Sequence, residues 1–274
     1  MNDLLTEIQA AAREAGAIML SAHSEDMQVE YKPGHANFVT EYDKRIQTFL
    51  MDKLSHALPE ARYLGEENGM DAFREEYEKG YLFIIDPIDG TTNFIHNLHP
   101  SVTSIGLLKD GKPYAGVIYC PWSDQMFCAV KGEGAYENGK RIHTSRENLE
   151  NSIVLAGTAG FDLVAAEYSK QLALEYLGAC AGVRSMGSAE YALCMVASGR
   201  VGMYFEMKLH IWDYIAGGII LEEAGGCMTD MHGKPLSWHD TCSVMGVSEG
   251  IAKQNLPKPD PGYYLGLYEK EIHI

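Results

Sequence analysis

An α/β (α+β) fold is predicted by three observations: apolar stripes at helical spacing, β-branched and aromatic runs that end in acids or glycine turns, and a central meander of short strands. Leu4, Leu5, Ile8, Ala11, Ala12, Ala15, Ile18 and Met19 recur at helical spacing with Glu7, Arg13 and Glu14 between them, an amphipathic opening helix. Residues 28–31 form a short strand that leads into Lys32-Pro33-Gly34-His35-Ala36-Asn37, an irregular loop able to cover a site. A second helix runs from Thr40 or Glu41 to Leu58, with Ile46, Phe49, Leu50 and Leu54 on its apolar face and Asp43 in its first turn. Residues 62–65 make a strand that ends at Glu66 and Glu67, and the charge-rich residues 71–79 carry no evident chemistry.

The next strand, 81–85, delivers Asp86-Pro87-Ile88-Asp89-Gly90-Thr91-Thr92-Asn93-Phe94, with Pro87 removing a backbone donor where Asp86 has left the sheet. Gly90 permits a turn, and Thr91 or Thr92 caps a helix start. His96 and His99, one helical turn apart, have no metal motif around them and are structural. Residues 102–108, 113–119, 125–130 and 135–136 then alternate with the turns Asp110-Gly111 and Asn138-Gly139 as an antiparallel meander. A second half follows: a strand at 152–155, helices at 165–177 and 189–198, a strand 203–206 ending at an acid, a helix over 211–224, and strands at 227–230 and 243–247. Pro257, Pro259 and Pro261 stiffen a tail over 256–274. One domain over 1–255 is expected, built of two packed halves at about 1–150 and 151–255.

Hydrophobic residues at 46% and charged residues at 22% mark an ordinary globular protein with a large core. The formal net charge of −16 excludes nucleic acid as the main partner, since binding it needs clustered lysine and arginine. Bound divalent ions would supply the positive charge that an acidic protein needs to handle phosphate. The six cysteines are scattered without zinc-ligand spacing, and neither a leader segment nor a membrane span is recognisable, so a reduced, cytoplasmic protein is expected.

Asp86 and Asp89, three positions apart on a rigid turn, can share hard cations, which prefer oxygen ligands. The amides of Gly90 and Thr91 at the mouth of a helix suit a phosphate. Together they point to metal-assisted phosphoryl transfer to water. Taken alone, Asp-Pro and Asp-Gly are common turn signals, and aspartates in a first helical turn, as at Asp43 and Asp213, also complement the helix dipole.

The run 86–94 resembles the signature of the inositol monophosphatase family. Val39-Thr40-Glu41-Tyr42-Asp43, Gly65-Glu66-Glu67-Asn68 and Trp212-Asp213-Tyr214-Ile215-Ala216-Gly217 resemble the family's other motifs in order and approximate spacing, so the resemblance spans about residues 4–250. It implies a layered αβαβα sandwich of the inositol monophosphatase and fructose-1,6-bisphosphatase type. It implies two or three magnesium ions on Glu66, Asp86, Asp89, Asp213 and the main-chain oxygen of Ile88, with Glu67 in support. By the same resemblance Asp43 orients Thr91, the pair positions the attacking water, and Gly90 and Thr91 hold the phosphate. Gly187, Ser188 and Ala189 would line the substrate pocket, Glu206 would hold a polyol hydroxyl, and Asp89 and Asp213 would also face substrate. Lys32 matches the basic residue of the mobile loop, whereas Asn37 stands where an acid often serves a third metal.

The implied enzyme is a lithium-sensitive, homodimeric phosphomonoesterase that converts myo-inositol monophosphate to inositol and phosphate. Thr91-Thr92-Asn93-Phe94 and Glu206 favour this substrate, and the charged pair typical of the adenosine-nucleotide branch is absent. A sugar bisphosphatase is the enzymatic alternative, and a catalytically weak binding protein on the same fold is the alternative of another class.

Overall fold

Helices α1 (Asn2–Leu20) and α2 (Glu41–Ala57) pack side by side on one face of a seven-stranded sheet in the computed structural model. The structure describes residues 2–22, 27–32, 37–68, 78–236, 238, 241–254 and 256; the predicted loop at 33–36, the charged stretch at 71–77 and the tail at 257–274 lie outside them. Ile46, Leu50 and Leu54 recur every fourth residue on α2 and are fully buried, each stabilising the fold by about 1.5–3 kcal/mol relative to exposure. They meet Ile8, Ala12, Ala15, Phe83 and Ile85 in one cluster between the helices and the sheet.

That sheet runs in order β3 (Arg62–Gly65), β4 (Tyr81–Asp89), β5 (Val102–Lys109), β6 (Lys112–Cys120), β7 (Gln125–Val130), β8 (Gly134–Glu137) and β9 (Lys140–Ile142). β3 and β4 are parallel and the rest antiparallel, which is the predicted meander with one further short strand at its edge. A ribbon of β1 (Val29–Tyr31) and β2 (Phe38–Thr40) leads into α2. The second sheet has the order β11 (Gly182–Arg184), β10 (Ile153–Ala156), β12 (Met203–Leu209), β14 (Cys242–Val247) and β13 (Cys227–Thr229). α4 (Leu163–Leu177) covers its outer face, and α7 (Glu249–Ala252) follows the last strand.

Between the sheets lie α5 (Ala189–Ala197) and α6 (Ile215–Glu223), whose side chains belong to one core with residues of both. The five layers are therefore helix, sheet, helix, sheet, helix. Two cross-strand glycines bring α6 onto the first sheet: an added Cβ on Gly106 would stand 2.6 Å from Ile215 Cγ2, and one on Gly116 would stand 2.6 Å from the carbonyl oxygen of Ala216. Among the described residues no helix is long and apolar enough to cross a membrane.

Five local expectations change. The short helix Thr91–Ile95 is entered through Gly90 with no side-chain cap, so neither Thr91 nor Thr92 caps it. β4 continues through Pro87 to Asp89, so Asp86 remains in the sheet; the missing Pro87 donor is absorbed by a register shift against β5 between Asp86 and Asp89. β12 likewise runs past Glu206 to Leu209 over an irregularity. The predicted helix at 211–224 begins as a 3₁₀ turn, Ile211–Asp213, and restarts at Ile215. Helix α3 (Thr91–Ile95) ends before His96, so His96 and His99 share no helical face; His99 instead packs on Trp122 at 4.3 Å between ring centroids.

Gly116→Ala should cost about 1–3 kcal/mol because the added methyl meets backbone rather than a side chain that can swing away. Gly178→Ala, at an ordinary right-handed helix end with room for a methyl, should stay within about 0.5 kcal/mol of the parent. Urea unfolding of both variants measures the difference.

Candidate active site

The end of β4 is where most of the predicted residues converge. Asp86 and Asp89 sit on the last turns of that strand, Glu66 follows the parallel neighbour β3, and Asp213 closes the 3₁₀ turn after β12. Asp86 Oδ1 accepts the amide of Ile88 at 3.0 Å, which folds the Asp-Pro-Ile segment back on itself. Asp213 Oδ2 accepts the amide of His210 at 2.7 Å, so the capping role open in the sequence is real and leaves Oδ1 for other partners.

Asp89 points at the N-terminus of α5. Its Oδ2 accepts Ser188 Oγ at 2.6 Å and the amide of Glu190 at 2.7 Å, and its Oδ1 accepts the amide of Ala189 at 3.2 Å. Ser188 is also the helix's own cap. Gly187 has φ +70, and a Cβ there would stand 2.9 Å from Asn93 Oδ1. Asn93 pins the same junction by donating to the carbonyls of Pro100 at 2.7 Å and Met186 at 2.8 Å, a part the sequence does not disclose. Gly90, with φ +91, lies so near that a Cβ would stand 2.9 Å from the Gly187 carbonyl oxygen.

Asp43 is buried in a capping box with Thr40, accepting its amide at 2.7 Å and its hydroxyl at 2.6 Å on Oδ2. Thr91 Oγ1 lies 3.3 Å from Asp43 Oδ1 and 3.0 Å from the Ile88 carbonyl oxygen. The expected Asp43 and Thr91 pair is thus assembled from residues 48 positions apart in the chain. Lys32 Nζ reaches Glu66 at 2.8 Å and Glu67 at 2.6 Å, and Gln47 accepts the amide of Glu67 at 2.9 Å. Lys32, Asn37, Glu66, Glu67, His210 and Asp213 line one recess.

A cavity of about 340 Å³ adjoins it, lined by Asp89, Asn93, Thr158, Phe161, Met186, Gly187, Ser188, Ala189, Tyr204, Glu206 and Asp213. Glu206 accepts the amide of Ala159 at 2.6 Å on Oε1 and the hydroxyl of Tyr204 on Oε2. Lys208 Nζ pairs with Asp162 Oδ2 at 2.6 Å, tying the same 157–162 loop to β12. Phe161 stacks on His210 at 6.0 Å and His210 on Trp212 at 4.7 Å, forming an aromatic wall between recess and cavity. Phe161 and Lys208 escape sequence reasoning because their partners, His210 and Asp162, come from other segments.

The electrostatics are those of acids crowded away from water. Burial pushes Asp86 and Asp213 well above the ordinary carboxylate range, and repulsion by Glu66 and Asp89 adds to it. Burial raises Asp89 to about 6 against the donors at the start of α5, and raises Asp43 to about 7 against the two Thr40 donors. It raises Glu206 to about 7 against Tyr204 and Ala159. For Lys32, burial lowers the pKa, but Glu66 and Glu67 outweigh it and hold the ammonium well above its ordinary value.

The donors are carboxylate and carbonyl oxygens, which fit a hard divalent ion, and the only cation paired within the recess among the described residues is the Lys32 ammonium. Among the described residues no three histidine, cysteine, aspartate or glutamate side chains are already drawn around a single point.

The model of the inositol monophosphatase family matches residues 1–258. The inositol-1-monophosphatase of Bacillus subtilis is 34% identical over 252 residues, covering 90% of this chain and 94% of that protein. The crystal structure of the extragenic suppressor protein suhB from Bartonella henselae is 31% identical, with a TM-score of 0.80 over 90% of this chain and 94% of that one. A 2′-AMP-bound structure of the staphylococcal IMPase-II is 28% identical, with a TM-score of 0.82 over 99% of this chain and all of that one (100%).

With chelator present, stability should fall as pH rises from about 4 to about 7. Asp43, Asp89 and Glu206 keep in the folded protein protons that the unfolded chain releases near 3.8 to 4.5, so the native state binds more protons across that window. Thermal melts in EDTA at successive pH values check the sign; a transition that climbs with pH over this window contradicts it.

Proposed function

The chain belongs to the inositol monophosphatase family, and from that premise we propose that it is a magnesium-dependent phosphatase that hydrolyses myo-inositol monophosphate to inositol and phosphate. The observation that carries this reading is the convergence of Asp43, Glu66, Asp86, Asp89, Thr91 and Asp213 beside a cavity lined by Ser188 and Glu206. Glu66, Asp86, Asp89, Asp213 and the carbonyl oxygen of Ile88 would hold two or three magnesium ions. The chemistry such ions would supply is polarisation of the phosphate, acidification of the attacking water and stabilisation of the leaving alkoxide.

The protein's own part is alignment and proton handling. Thr91 has one hydroxyl proton and two acceptors, the Ile88 carbonyl and Asp43. With the hydroxyl proton directed to Asp43, the Thr91 lone pairs would face the water to be oriented. Water adds to phosphorus on the side opposite the ester oxygen, the P–O bond to the sugar alcohol breaks, and the alcohol leaves with a proton. The amides of Gly90 and Thr91 hold the phosphate, and Lys32, released from Glu66 and Glu67, can follow it in. Glu206 has lone pairs beyond those facing Ala159 and Tyr204, and these would accept a polyol hydroxyl.

The Phe161, His210 and Trp212 wall favours a second reading, a nucleoside 2′-phosphate whose base stacks there, and the related staphylococcal structure holds 2′-AMP. A sugar bisphosphate is the remaining alternative. A homodimer and inhibition by lithium also belong to this proposal.

Phosphate release with magnesium from inositol 1-phosphate, 2′-AMP and fructose 1,6-bisphosphate tests the assignment. Inositol 1-phosphate should be preferred and Asp89→Asn inactive; preference for another ester overturns the role given to Glu206. Thr91→Ala should lower kcat about 100-fold with KM little changed. Equal loss in binding instead would make Thr91 a substrate contact.

A further inference from the structure

Glu190 carries a carboxylate that none of the steps above uses, yet it is fully buried where three segments of the site meet. It is the second residue of α5, and its amide donates to Asp89 Oδ2 at 2.7 Å. Its side chain reaches the other way. Oε1 accepts the amide of Ala216 at 3.0 Å and lies 3.3 Å from Ser104 Oγ, while Oε2 accepts the amide of Gly217. Ala216 and Gly217 form the first turn of α6, just after Asp213, and Ser104 is the cross-strand partner of Asp86. One carboxylate thus touches the segments that carry Asp86, Asp89 and Asp213.

Capping of α6 alone would not require this arrangement. Helix α6 has no side-chain cap of its own at Tyr214, where a serine or aspartate would satisfy the same amides without burying a charge in the core. Supplying the cap from α5 couples two layers of the site instead. Gly217 is fitted to it, since a Cβ there would stand 2.5 Å from Glu190 Oε2. Both oxygens face main-chain N–H groups, a pattern a carboxylate satisfies and a carboxamide does not. Burial and Asp89 push the Glu190 carboxyl well above its ordinary range, and the Gly217, Ala216 and Ser104 donors oppose them.

We propose that Glu190 is a positioning residue for the cation site, bracing Asp86, Asp89 and Asp213 from behind so that they keep the spacing a divalent ion requires. This rests on the assignment of those aspartates as metal ligands. Glu190→Gln keeps the side chain's size but turns an NH2 toward one of the α6 amides.

Mn2+ binding without substrate, followed by electron paramagnetic resonance, should be about 10- to 100-fold weaker in Glu190→Gln. In the same variant KM at saturating metal should stay near the parent value. A variant that melts lower in EDTA but binds Mn2+ with parental affinity shows a purely structural role and overturns the proposal. Should Glu190→Gln not fold, Glu190→Asp, charged but one methylene short, is read in the same titration: weakened binding upholds the proposal and parental binding overturns it. Absence of Mn2+ binding by the parent protein sinks the metal-site assignment itself, a result distinct from parental binding in the variant.

Discussion

Acid packed against acid at the end of β4 is the constraint to which the rest of the site responds. Asp86, Asp89 and Asp213 are withdrawn from water within reach of one another's charge, and nothing intrinsic to a folded core favours that. The responses are local and varied. The α5 N-terminus turns a hydroxyl and two amides onto Asp89, a capping box quiets Asp43, and the Lys32 ammonium sits on Glu66 and Glu67. These donors compensate only in part, as the raised Asp43 and Asp89 pKa values show. A divalent cation held there, as proposed above, would complete the compensation.

The layers place those acids without bending the strands to reach them. Parallel β3 and β4 deliver Glu66 and Asp86 side by side, and the register shift after Asp86 carries Asp89 to the same rim despite the proline between them. The middle layer supplies the other side of the cleft. Gly106 and Gly116 let α6 lie close on the first sheet, and the 3₁₀ turn before α6 packs Asp213 against β4.

Local pattern made much of this legible. The helical stripes and the meander depend on neighbours close in sequence, where periodicity and turn chemistry speak directly, whereas the four acidic motifs were legible through the family resemblance. The failures have one physical source, which is long-range pairing. Partner strands extended β4 past Pro87 and β12 past Glu206, because ladder bonds from β5 and β14 outweigh the break that the local residues announce. Gln47, Asn93 and Glu190 look ordinary in sequence, and their importance exists only through the Glu67, Met186 and Ala216 atoms they meet across the fold.

The cavity and the acidic rim are built largely on different sheets. Asp86 and Asp89 belong to the first sheet and Glu66 follows it, whereas Tyr204, Glu206 and the 157–162 loop belong to the second, with Lys208 and Ala159 fastening that loop to β12. On the function proposed above, substitutions along β12 and its loop would reshape the pocket for the departing alcohol while leaving Glu66, Asp86 and Asp89 in place, so that one hydrolytic apparatus could serve several esters.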